Sequence, residues 1–192
     1  MPERNPAALD FLLGRRSRPA KTLTTPVPDR AELEVILTAA ARTPDHGKLE
    51  PWRFIVLQGA ALDRLEALAA ERGAALGKDP VDIGKATDQF GQSSLAVVVV
   101  ESPQDSPKIP ELEQTYSAGA VCLSLLNAAL ASGWGANWLT GWASHDPEFV
   151  RQGLGLSGRE RVAGIIHIGT ETSTPPDRPR PDLARITTWL SD

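Results

Sequence analysis

A single cysteine, Cys122, stands in a chain of 192 residues. That excludes an internal disulfide and any metal site built on several thiolates. Histidine is nearly as scarce: His46, His145 and His167 are scattered, with no H-x-x-x-H spacing. No G-x-G-x-x-G follows the first apolar run, which removes a Rossmann reading. "GLSG" at 155–158 lacks the G-x-S-x-G of a nucleophile elbow, so Ser157 reads as a turn residue. There is no run of 18 apolar residues, and "MPERNPAALD" lacks the apolar core of a signal peptide. A cytoplasmic protein without membrane contact is the expectation. Positive charge is not in excess either. A net charge of −4 argues against nucleic acid as a partner.

What is present fits one globular domain, 1–192, with 41% hydrophobic and 23% charged residues. A first helix is predicted over 6–14, capped by Asn5 with Pro6 at its first position and with Leu9, Leu12 and Leu13 on one face. A second is predicted over 30–42, where Asp29 and Glu32 form a capping box and Leu33, Ile36, Leu37 and Ala40 a stripe. A strand follows at 52–58, then a helix over 60–76 with Leu62, Leu65, Leu68 and Leu76 inward. Residues 78–94 are polar and read as a short lid-like helix. "LAVVVVE" at 95–101 does not alternate, so it reads as a strand buried on both faces. The helix over 110–132 is apolar nearly all round and must be enclosed, by its own domain or by another subunit. "WGANWLTGW" reads as extended, a short helix lies near 146–153, and "VAGIIHIGT" at 162–170 is a last strand. "ETSTPPDRPRPD" forms an extended arm. The pattern gives an α+β fold, a mixed central sheet flanked by helices.

Three strings carry candidate chemistry. In "GRRSRP", Arg15, Arg16 and Ser17 offer paired N–H donors and a hydroxyl suited to a phosphate, although basic residues at a helix end also complement its dipole. "ARTPDHGKLE" places Arg42, His46 and Lys48 just before a core strand. Alone, each is explained as a helix-end cation or a solvated loop residue. Together with the first string they could hold an anionic, planar, polar molecule. "NWLTG" supplies the indole of Trp138, the backbone of Leu139 and the hydroxyl of Thr140, with plain core packing as the alternative for Trp138. Cys122 reads as a packed residue and His167 as a satisfied sheet histidine.

In this order, "RRS", "AR-x-P", "PW-x-F-x-V", "VVVV", "SAGAVCLSLLNAALASGWGANW" and "GIIHIGT" resemble the FMN-dependent nitroreductase family, in its compact bacterial branch. The resemblance spans nearly the whole chain. It implies a homodimer with FMN at the subunit interface and an exchanged C-terminal arm. Arg15, Arg16 and Ser17 then match the motif that grips the FMN phosphate. Arg42 and His46 match a segment contributed by the partner chain, and Trp138, Leu139 and Thr140 match the segment beside the isoalloxazine. The departures are Asp45 and His46 in place of small polar residues, Lys48 in place of asparagine, and Pro19 beside Arg18 in place of a basic residue. Arg178 and Arg180 on the arm resemble a phosphate-contacting basic pair.

The activity so implied is ping-pong hydride transfer from NAD(P)H through FMN to a nitroaromatic, quinone or similar small-molecule acceptor. The cofactor carries the chemistry and no catalytic dyad is needed. A flavin-binding protein for storage, sensing or delivery is the alternative.

Overall fold

The computed structural model describes residues 3–191. Local signals set the helix starts. In α1 (Pro6–Gly14) the Asn5 side chain accepts the Ala8 N–H at 3.1 Å. In α2 (Arg30–Ala40) Asp29 accepts from the Glu32 N–H while Glu32 accepts from the Asp29 N–H, both at 2.9 Å. Two residues, Leu23–Thr24, form β1 between them. Then follow β2 (Trp52–Leu57), α3 (Ala60–Ala75), α4 (Pro80–Gly91), β3 (Ala96–Glu101) and α5 (Glu111–Ala131). The chain continues through β4 (Gly135–Leu139), α6 (Pro147–Leu154), β5 (Arg161–Glu171) and the one-turn α7 (Leu183–Ile186) on the arm.

The sheet is built around β5. β3 flanks it on one side with β2 outside, β4 flanks it on the other, and β1 takes its last residues. The α+β class holds, but the expected mixture of strand directions is absent from the pairings. All four among the described residues are antiparallel. The connections explain this. Two helices between β2 and β3 return the chain reversed. The single helix α5 carries it from β3 to β4 in the same direction, yet those two strands are not neighbours: β5 fills the gap and runs against both.

Two cores lie on the two faces. Val98 and Val100 of β3 point toward α3, α4 and α6, while Val97 and Val99 point toward α2 and α5. The unalternating valine run is therefore buried on both sides, as read. α4 is firmer than a lid: Ala86 and Phe90 are buried, and the Phe90 ring lies 5.5 Å from that of Phe149. Leu76 ends outside α3 and exposed, because the helix closes one residue earlier.

Some apolar surface finds no cover within the chain. α1 has no buried residue, and Leu9, Leu12 and Leu13 are exposed. α5 buries Val121, Cys122, Leu125, Leu126 and Ala129 but leaves Leu112, Tyr116 and Leu123 in the open on its outer face. On the arm Trp189 is 88% and Leu190 86% exposed.

Candidate functional site

The segment after α1 is fastened to the outer edge of β4. The Arg18 N–H donates to the Ala136 carbonyl at 2.8 Å, and the Asn137 carboxamide donates back to the Arg18 carbonyl. "RRS" and "NWLT", far apart in sequence, thus lie side by side. Arg15 Nη2 donates to Ser17 Oγ at 3.1 Å. Arg16 Nη2 donates to the Pro176 carbonyl on the arm at 2.9 Å, and Asp177 is 4.0 Å from Arg16 Nε. Arg180 reaches back to the Leu13 carbonyl at 3.5 Å.

This is a crowd of cations short of anions. Arg15 is held below the usual guanidinium range, first by burial and then by repulsion from Arg180 and Arg16. The Nε atoms of Arg15 and Arg16 are shielded from water and have no hydrogen-bond partner. A buried donor without a partner costs roughly 1–3 kcal/mol, so such atoms call for an acceptor from outside the chain. Glu171 pairs with Arg18 and Asp177 is shared between Arg180, at 3.4 Å, and Arg16, which leaves Arg15 without a carboxylate among the described residues. A cleft of about 370 Å³ opens beside these groups, bounded also by Trp134 at the end of α5.

A second cleft of about 370 Å³ lies on the α4 side of the same segment. Leu139 and Asn137 line it, as do Lys21, Gln89, Gln92 and His167, which the sequence reading did not nominate for a site. The trace was present in "DQFGQS": Gln89 and Gln92 are three apart on one helix face while Phe90 turns inward. His167 is buried, as expected, with Nδ1 2.9 Å from Ser93 Oγ, and burial pushes its pKa down to about 4. Trp138 is partly a packing residue. A Cβ on Gly164 would overlap its indole nitrogen and the Cys122 sulfur, so the indole approaches bare backbone there. Thr140 is exposed and Leu139 half-buried.

Arg42 and His46 lie elsewhere. Their loop runs along α5: Thr43 Oγ1, next to Arg42, is 2.8 Å from Ser124 Oγ in the middle of the helix, Ser117 Oγ donates to the Pro44 carbonyl at 3.0 Å, and at the far end His46 Nδ1 is 2.6 Å from Glu113 Oε2. Glu113 and Leu130, which flank His46 and the arginine cleft, are about 25 Å apart along the helix at 1.5 Å per residue. One chain does not bring His46 to Arg15, Arg16 and Ser17. The loop is also strained. Gly47, Lys48 and Glu50 have φ of 74°, 56° and 47°, and two of these carry side chains. Glu50 precedes Pro51, where extended backbone is preferred.

Other chemistries find no support. Among the described residues no three His, Cys, Asp or Glu gather to hold a metal. Burial pushes the Cys122 thiol up to about 12, which leaves it inert. Among the described residues no helix is long and apolar enough to cross a membrane.

The chain is similar to known proteins over most of its length. YdjA of Escherichia coli K12, assigned as an NAD(P)H nitroreductase, is 34% identical over 163 residues, covering 85% of this chain and 87% of its own. A nitroreductase-like protein from Bacillus cereus superposes with a TM-score of 0.79 at 24% identity, over 99% of this chain and 98% of that one. The FMN-dependent nitroreductase NfnB from Mycobacterium smegmatis, solved with NADPH, gives a TM-score of 0.75 at 19% identity, over 96% and 98%. The model of the Nitroreductase family matches residues 12–170, and the chain belongs to that family.

Proposed function

We propose that the protein is an FMN-dependent NAD(P)H oxidoreductase that works as a homodimer. The observation that carries this is the pair of buried, unpartnered Nε atoms on Arg15 and Arg16. With Arg180 adding charge nearby, they form a site for an anion of phosphate type. Arg15, Arg16 and Ser17 would bind the FMN phosphate, and Trp138, Leu139 and Thr140 would lie along the ring. When bound, FMN supplies hydride exchange between NAD(P)H and nitroaromatic, quinone or similar acceptors. The chain's own part is to bind, orient and supply charge: fixed cations at a developing negative charge are worth about 2–4 kcal/mol each. Reduction by NAD(P)H fits a cytoplasmic protein.

The two ends of α5 support the homodimer. A two-fold axis across the middle of the helix lays two copies antiparallel, so the Glu113 end of one meets the Leu130 end of the other. Arg42 and His46 of one chain would then complete the site of its partner. The same contact would bury the outer stripe of Leu112, Tyr116 and Leu123. Each such side chain contributes roughly 1.5–3 kcal/mol on full burial. Leu9, Leu12 and Leu13 of α1 and Trp189 and Leu190 of an exchanged arm would add further cover.

The test is direct. The purified protein should be yellow, or turn yellow on adding FMN, and anaerobic NADPH should bleach it rapidly. Bound flavin without bleaching would favour storage or delivery, and a folded protein that ignores excess FMN would end the reading. Arg15→Ala should weaken FMN binding by about 1.5–3 kcal/mol, the loss of one charge-assisted bond, as read from the dissociation constant.

A further inference from the structure

Behind the second cleft lies a chain of polar contacts that the flavin reading leaves unused. Ser93 Oγ donates to the Leu95 carbonyl at 3.2 Å. A hydroxyl has one proton, so toward His167 the same oxygen accepts, and the 2.9 Å contact is Nδ1–H to Ser93 Oγ. His167 is 2% exposed and neutral at ordinary pH, so Nε2 holds a lone pair. The Gln89 Nε2 amide faces that lone pair across a long contact of 3.5 Å. The opposite flip would set Gln89 Oε1 against it, acceptor against acceptor.

With its nitrogen turned to His167, Gln89 has its oxygen turned away. Oε1 lies 3.6 Å from where a Cβ on Gly141 would sit. Gly141 has φ −158° and ψ −177°, extended backbone open to any residue. What the glycine provides there is a carboxamide oxygen with no side chain packed on it from position 141. It directly follows Thr140, the end of the ring-flanking string, and Gln89, His167 and Leu139 line one cleft.

We propose that His167 is a positioning residue: together with Ser93 it fixes the Gln89 carboxamide so that the cleft presents a hydrogen-bond acceptor to a ring N–H of the bound molecule. This rests on the flavin reading. The matching group is the imide N–H of the flavin pyrimidine ring, a donor between two carbonyls. Lys21 and Gln92, at the same cleft, carry donors for such carbonyls. His167, at the centre of the relay, is buried, and Ser93 and Gln89 are half-buried, so its hydrogen-bond directions are set before anything binds. An acceptor held in this way rejects a ligand that lacks the proton, because the oxygen is then left unpaired.

The experiment compares FMN with N3-methyl-FMN by fluorescence titration. The wild-type protein should prefer FMN by about tenfold, the usual cost of one unmade buried hydrogen bond. Gln89→Leu should bring the ratio near one, and Ser93→Ala should give an intermediate ratio. A readout without flavin accompanies it: nitrogen NMR of the wild-type protein should show His167 protonated on Nδ1 and bare on Nε2. Equal binding of both flavins by wild type, or the Nε2–H tautomer, would overturn this inference and leave the flavin site standing. A wild-type protein that binds neither flavin would overturn the flavin reading and this inference together. Should Gln89→Leu not fold, the wild-type ratio, Ser93→Ala and the tautomer still decide.

Discussion

The two ends of α5 are incomplete in opposite ways. Near Leu130 the chain has excess cations, with Arg15 and Arg16 each presenting a buried Nε that finds no hydrogen-bond acceptor among the described residues. Near Glu113 it holds a loop in strained conformation, with His46 fastened by a short contact and exposed to solvent. One end has donors in excess of acceptors, and the other a strained loop open to solvent. The difference teaches why the proposed site needs two chains: Arg15, Arg16 and His46 lie toward opposite ends of a helix that one chain cannot fold back on itself. Symmetry can join the ends, and the exposed stripe of α5 lies between them.

The largest effect should come from breaking that stripe. Leu123 is 45% exposed in the isolated chain and lies midway between the ends. Leu123→Asp should leave the fold of each chain intact but bury an unpaired charge on association, at a cost of several kcal/mol. Sedimentation should show monomers, and FMN affinity should fall by more than a hundredfold, on the order of 3 kcal/mol. A monomeric variant that keeps full affinity would show that one chain forms the whole site.

The cleft beside the arginine segment also borders a deeply buried histidine, whereas His46 at the loop end is exposed. His167 titrates near 4 in the fold, against about 6.5 when unfolded. Between those values the unfolded chain takes a proton that the fold refuses. Stability should therefore fall as pH drops from about 6.5 to about 4 and then level off. The full loss is on the order of 3 kcal/mol. Urea unfolding across that range should show the slope, and His167→Gln should flatten it. A slope equally steep in the variant would assign the acid sensitivity to carboxylates such as Asp146, whose pKa the hydrogen bond from Arg72 holds down.

The same division explains what could be read from the sequence. Asn5, Asp29 and Glu32 act on backbone within three residues, so the starts of α1 and α2 were legible. The valine run of β3 carried its burial in its composition. The arginine–serine string and the Trp138 string were found, but their adjacency is made by hydrogen bonds between Arg18 and the Ala136–Asn137 stretch, over a hundred residues apart. No local pattern encodes that. Gln89 and Gln92 were hidden because a polar helix face above a cleft reads like one facing water. Leu9, Leu12 and Leu13 form a stripe that stays exposed in the single chain, so its periodicity located a face and could not say what covers it.

His46→Ala tests the loop end with a smaller effect. The His46–Glu113 pair is well exposed on both sides, and exposed pairs contribute little to folding. Thermal stability without FMN should stay nearly unchanged. FMN affinity should drop by about fivefold, or ~1 kcal/mol, if the ring reaches the partner's flavin. Equal losses of melting temperature with and without FMN would make His46 a structural residue.

The smallest effect concerns the strain itself. Lys48 sits at φ 56°, where a side chain costs about 1–2 kcal/mol relative to ordinary backbone and glycine costs nothing steric. Lys48→Gly removes that cost but gives the unfolded chain more freedom, which returns roughly 0.5–1 kcal/mol. The net gain in folding stability should be a few tenths to 1 kcal/mol. The same change loosens the loop that presents His46 and removes a cation from the loop end. If strain there serves to aim the loop at a second chain, stability and flavin affinity should move in opposite directions: melting temperature slightly up, affinity down. If both rise together, the positive φ at Lys48 is a residue of packing against α5, and the loop's shape owes nothing to the site across the dimer.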